Sequence, residues 1–337
     1  MERAIAPYCE PPAGAGPPHL VDDLERALDA APATPKLSRS AVPRELLVPA
    51  TRNGLLRMAL EEWAMLGAIW TAMAYAPWWL YPVLALLAAG RFHALGILMH
   101  DCSHMPLRTK DLRIHLLEIL CAYPLATTLD AMRYHHTRHH RDSGMPSDPY
   151  FKSNLQGRPW LYALNVLRGL VLIPFWALRV PIGLLAVMAP RVRNVYGRVW
   201  LQDRSGQDLT RSREIVQCGK AELGQGIAQA LLIVAAIAWP RVILWGHLVP
   251  ITITGVLAAW RLLQEHSYVP ARERRIETIL ATTNDHHLGP WNALVLAPRN
   301  IGHHVVHHIH PQVGLEALPA VRRWYLEHHA GVYPGPR

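Results

Sequence analysis

Three short clusters carry the residues best suited to chemistry in this 337-residue chain, which holds 20 histidines. The first is His100-Asp-Cys-Ser-His104. The second is His135-His136-Thr-Arg-His139-His140, and the third is His303-His304-Val-Val-His307-His308. On a helix, positions i and i+4 lie about 40° apart, and i, i+3 and i+4 fall within about 100° of one another. His100 and His104 therefore share a face. His136, His139 and His140 can converge on one volume, as can His304, His307 and His308. Neutral imidazole is a metal ligand, and eight are too many for one tetrahedral zinc. They suit two ions, each taking several imidazoles. Iron, copper, zinc and nickel all accept this donor, so the ligands alone do not name the metal. The first cluster lacks the glutamate of a zinc-protease HExxH motif. His19, His93, His115, His247, His328 and His329 stand alone and are read as surface or packing residues. His310, before Pro311, is read as packing or capping. His286 and His287 stay open between the two roles.

Such a centre needs a scaffold. Hydrophobic residues make up 51% of the chain and charged residues only 18%, against about 25% in an average soluble protein. That excludes disorder for most of the length. Residues 63–90, 223–240 and 242–260 carry no charge, and a membrane span needs roughly 20 apolar residues. The first run breaks at Ala76-Pro77-Trp78-Trp79 and the others meet at Trp239-Pro240-Arg241. The expectation is an all-α integral membrane protein. Four transmembrane helices, near 61–76, 78–99, 223–239 and 242–260, form two hairpins under a cytoplasmic helical cap that holds a dimetal site. Net charge is +9. Only Arg241 lies in a hairpin turn, and only Arg91 inside a span. Basic loops stay cytoplasmic, so both termini and all three clusters are expected on that side. Segments 160–190 and 112–129 are apolar but interrupted, and read as lying in the interface. Residues 1–48 read as a flexible proline-rich tail with a short helix at 21–30 and no signal-peptide core. A membrane domain spans 49–330, and 331–337 form a C-terminal tail. Four scattered cysteines without CxxC give no support to a zinc ribbon or a disulfide scaffold. No nucleic-acid motif accompanies the positive charge.

The three clusters in this order, with Leu120-Cys-Ala-Tyr-Pro124, Arg261-Leu-Leu-Gln-Glu-His266, Pro298-Arg-Asn-Ile-Gly302 and Leu315-Glu-Ala-Leu-Pro319, carry a resemblance. From about residue 60 to 330 the chain resembles the integral-membrane fatty acid desaturase and hydroxylase family, with its HxxxH, HxxHH and HxxHH boxes. The resemblance implies four spans below a cytoplasmic cap holding two iron ions, with O2 as co-substrate. It also implies a further histidine on the fourth helix, which is His266 here. The implied metal ligands are His100, His104, His136, His139, His140, His266, His304, His307 and His308. Asp101 and Glu265 are placed to accept hydrogen bonds from neighbouring imidazoles, and Asn300 can do the same or hold water. Where relatives often carry an aromatic residue before the second and third boxes, this chain has His135 and His303, read as extra donors or tuning groups. Relatives often follow the second box with Asp-Pro-Asp; here the sequence is Asp148-Pro149-Tyr150. Asn284-Asp-His-His287 lengthens the approach to the third box.

A saturated carbon has no acidic proton or leaving group, so the hard step falls to the metal, and the protein orients the chain and excludes water. The leading expectation is an O2-dependent desaturase acting on a membrane lipid or acyl chain. The rival on the same scaffold is a hydroxylase or ketolase of a lipid or isoprenoid. A His-rich metal transporter or sensor is a different class; it would place ligands near mid-membrane rather than at span ends. No HPGG haem signature or ferredoxin cysteine pattern is present. A separate ferredoxin- or cytochrome-like electron donor is expected, with Arg138 facing that acidic partner or a lipid head group.

Overall fold

Local caps set where four of the helices begin. Thr51 accepts from the Gly54 N–H, Asp111 from Ile114, Thr128 from Ala131 and Ser212 from Ile215. Each satisfies an N–H that the first helical turn leaves without a partner. A computed structural model describes residues 38–106, 110–152, 155, 158–286 and 289–333. The expected helix at 21–30, His19 and His287 lie outside them. The α-helices are α1 (Arg52–Tyr75), α2 (Tyr81–Cys102), α3 (Leu112–Leu117), α4 (Leu129–Asp142), α5 (Pro159–Leu167), α6 (Gly169–Ala177) and α7 (Arg179–Met188). They continue with α8 (Pro190–Val195), α9 (Arg213–Ala238), α10 (Pro240–Ile243), α11 (Val249–Glu265), α12 (Ile276–Thr282), α13 (His304–Ile309) and α14 (Leu318–His328). No strand occurs among the described residues, only isolated bridges such as Pro49 to Val313.

Four stretches are long and apolar enough to cross a membrane: Trp78–Cys102, Gly169–Met188, Arg213–Ala238 and Pro240–Glu265. Three contain the expected spans at 78–99, 223–239 and 242–260. The fourth differs from expectation. Helix α1 contains the 61–76 run but carries Glu61 and Glu62, and it is not among the four. Gly169–Met188, read from sequence as interfacial, is long and apolar enough to cross, yet Arg168 before it lines the cavity beside the histidines and Asp203 after it accepts from Tyr134 of α4, so both its ends lie on the side of the histidine centre. Its interruptions are absorbed by structure. Pro174 lies within α6, and Arg179 is buried against Glu222 at 2.5 Å. The Tyr196 hydroxyl also donates to Glu222, and Arg179 donates to Thr127. A charge among apolar helices is tolerated when paired in this way. Arg91 in α2 follows the same rule, meeting Glu62 of α1 at 3.1 Å while Arg299 holds the other Glu62 oxygen at 2.6 Å.

The second expected hairpin is splayed. Helix α9 packs chiefly on α7, and α11 on α6 and α2. The α6–α11 crossing is very close: a Cβ placed on Gly169 would collide with the Gly255 carbonyl oxygen, and one on Gly255 with that of Gly169. Small residues let backbones approach in this manner. Segment 112–129 forms α3 and a π turn, then meets α4 at 82°.

Both tails are shorter than the sequence suggested. Residues 38–48 lie against the body of the protein, with Val42 buried and the Val48 carbonyl accepting from Gly314. At the other end Tyr333 is buried, its hydroxyl donating to Asp285. Apolar side chains here override the turn-forming prolines. The main core joins α1, α2 and α3 to α13 and α14 through Leu95, Leu98, Val305, Val306 and Ile309. That packing brings the third box to the end of α2.

Candidate metal centre

His100 lies in the last turn of α2. The helix ends at Cys102, so His104 sits in the turn beyond it rather than on the helix face; the two rings remain neighbours, 5.5 Å apart. His135 to His140 all lie on α4, and His304, His307 and His308 on α13. His266 directly follows α11, where its backbone pairs with Thr283.

The nine histidines gather into two adjoining groups. His100, His104, His136, His140 and His307 present ligand nitrogens within 4.8 Å of one another. His136 Nε2 approaches His104 Nε2 at 3.0 Å, and His140 Nε2 approaches His307 Nε2 at 3.0 Å. In the second group His139, His266 and His308 meet the same limit. His304 joins them, its Nε2 3.3 Å from that of His266 and its ring 4.6 Å from that of His308. Each HxxHH box was expected to converge on a single volume, and neither does. His136 and His140 go to one group and His139 to the other; His307 goes to one, His304 and His308 to the other. Neighbouring residues on a helix point about 100° apart, so each His-His pair straddles the two groups.

The donors fit metal ions. His139 Nε2 and both nitrogens of His308 are buried with no protein partner. A buried polar atom left without a partner costs about 1–3 kcal/mol, and an ion between the rings would supply one. Burial, reinforced by the neighbouring rings, holds His136, His140, His304, His307 and His308 well below the ordinary histidine pKa. Burial likewise lowers His104 to about 4 and His266 to about 3. The rings are therefore neutral at pH 7, the form that coordinates.

Carboxylates orient the second group. His139 Nδ1–H donates to Asp148 at 2.8 Å, and Asp148 also accepts from the Gly144 and Tyr150 N–H groups. Burial opposes the Asp148 charge, yet the His139 ring and the Tyr150 N–H keep its pKa below the usual range. Glu265 lies 3.4 Å from His304 Nδ1 and 3.4 Å from His286 Nε2, held by Arg261 at 2.5 Å. In the sequence Asp148 and Arg261 stand only as parts of motifs, and the signal for Asp148 is its position after the second box.

The remaining candidates sit at the periphery. His135 Nδ1 meets the Tyr150 hydroxyl at 2.6 Å. His303 is buried as the residue before α13, and belongs to neither ligand group. Asp101 accepts from the Leu315 N–H, and Asn300 donates to the Leu315 carbonyl; both secure that segment rather than a ring. Arg138 is engaged internally by Glu214 at 2.8 Å and by the face of Tyr134. His310 packs on Tyr325, and His93 is held between Val295 and Arg261.

Beside the rings lies a cavity of about 180 Å³. His100, His136, His139, His266 and His304 form one part of its lining, and Ile97, Leu125, Leu172, Ile173, Trp176 and Leu262 supply apolar wall. A largely apolar space against two clustered histidine groups can hold an alkyl chain.

The family model described as fatty acid desaturase matches residues 76–334. No curated protein matches the chain.

Proposed function

The chain belongs to the fatty acid desaturase family, and from that premise we propose that it is an O2-dependent membrane diiron desaturase that introduces a double bond into a fatty acyl or lipid chain. The observation that carries this reading is the division of nine histidines, eight of them buried, into two adjoining groups beside a largely apolar cavity. His100, His104, His136, His140 and His307 would hold one iron, and His139, His266, His304 and His308 the other. Bound there, the irons would supply the O2 activation needed to break an unactivated C–H bond. The protein's part is positional. Asp148 fixes the ring of His139, Glu265 lies 3.4 Å from that of His304, and the apolar wall would hold the chain and exclude water.

Two electrons would come from a separate ferredoxin- or cytochrome-like donor. Both termini and the histidine centre would face the cytoplasm, a placement supported by the excess of arginine outside the spans.

Comparing lipids and acyl chains by mass spectrometry in cells with and without the protein tests the reading. Products lighter by two hydrogens are expected. Products heavier by one oxygen would replace it with a hydroxylase. No altered lipid, together with metal uptake by vesicles, would replace it with a transporter. His304→Ala is expected to abolish turnover while the protein stays in the membrane, and full turnover by that variant would remove His304 from the ligand set.

A further inference from the structure

The cavity beside the histidines is not apolar throughout. Lys152, Asn165, Arg168 and Gln202 also line it. They come from three stretches: the loop after α4, the α5–α6 junction and the loop before α9. Arg204 joins them, donating to the Phe151 carbonyl at 2.6 Å. Lys152 lies within electrostatic reach of both Arg168 and Arg204; burial first, then these two cations, lower its pKa to about 8. It remains mostly charged at pH 7.

No local acid is free to balance them among the described residues. Glu265 is the carboxylate in the lining, and Arg261 holds it at 2.5 Å. Asp148, the acid within reach of Lys152, is committed to His139 and two backbone N–H groups. Gln202 has φ +56°, a left-handed conformation that is uncommon without glycine and persists where its surroundings fix it.

We propose that this basic end receives the anionic head of the substrate, a carboxylate or a phosphate, with Lys152 and Arg168 as counter-charges and the alkyl tail directed to the histidines. Asn165 and Gln202 add hydrogen-bonding capacity beside them. The assignment of the tail rests on the function proposed above; the recognition of the head stands on the cations. A neutral isoprenoid or sterol would leave half-buried Lys152 without a counter-charge beside exposed Arg168, whereas an anion accepting charge-assisted hydrogen bonds supplies one.

The test uses the full chain in phosphatidylcholine nanodiscs, titrated with laurate, lauryl phosphate and lauryl alcohol. Their tails match and only the heads differ. At least one anion is expected to bind about tenfold or more tighter than the alcohol, the scale of one charge-assisted hydrogen bond. Lys152→Gln and Arg168→Gln should each cut that preference about tenfold while leaving alcohol binding unchanged, with Lys152→Arg retaining it. Preference for laurate identifies a carboxylate head, and preference for lauryl phosphate a phosphate. Equal binding of all three probes overturns the proposal, as does an equal loss for all three in the variants. Acyl-product analysis on the same samples separates the two readings. Oxidised lipid without anion preference defeats the head-group site alone. Anion preference without any oxidised product defeats the proposed function alone.

Discussion

At His139 one ring nitrogen donates to Asp148 at 2.8 Å and the other has no hydrogen-bond partner. The carboxylate fixes both the tautomer and the direction of the free nitrogen. Asp148→Asn keeps the size of the side chain but removes its charge, so His139 loses its strong acceptor. Metal affinity at the second group should fall about 10- to 100-fold. Metal content after dialysis against a graded chelator series measures this, and unchanged retention would show that Asp148 does not act through His139. The box histidines were readable in the sequence because imidazoles at i, i+3 and i+4 stand out locally. Asp148 was harder to read, because the hydrogen bond that gives it meaning exists only once the loop after α4 folds back.

The elements hold the centre by close contact and by buried charge. Helices α6 and α11 cross where Gly169 and Gly255 face each other's carbonyl oxygens, at the wall of the cavity. Gly255→Val has no room and must part the helices; overpacking of this kind typically costs about 1–3 kcal/mol. A lower melting temperature and loss of monodisperse protein are expected, and native behaviour would show that the crossing tolerates separation. The Arg179–Glu222 pair binds α7 to α9 and, through Thr127, to the entry of α4. Arg179→Met leaves Glu222 buried and uncompensated, a loss of about 3–5 kcal/mol, whereas Arg179→Met with Glu222→Leu removes both charges and should recover most of it. Thermal unfolding of the two variants decides, and equal destabilisation would argue that shape rather than charge pairing matters there. Hydropathy singles out runs that overlap three of the four candidate spans. It passed over Gly169–Met188 because Arg168, Pro174 and Arg179 look disruptive until Glu222, distant in sequence, supplies the missing charge. In the 61–76 run, Glu62 answers Arg91 and Arg299.

At the scale of the whole molecule, the first histidine group draws on the end of α2, on α4 and on α13, and the second on α4, the residue after α11 and α13. An ion bound among them cross-links those parts. Metal that binds only the folded state stabilises it, by about 2.7 kcal/mol at a hundredfold excess over Kd. Stripping the protein with chelator should lower its melting temperature, and ferrous iron should restore it. A melting temperature indifferent to metal would mean that these groups hold none. Sequence alone determined the donor chemistry, the helical character and the membrane setting, because residue type, helical period and hydropathy are local properties. Tertiary structure alone decided which histidines share a group. Adjacent residues on a helix diverge by about 100°, so His139 and His140, like His307 and His308, are sent to different groups. Their partners in each group are fixed only when α13 packs against the end of α2 and α4 turns across it.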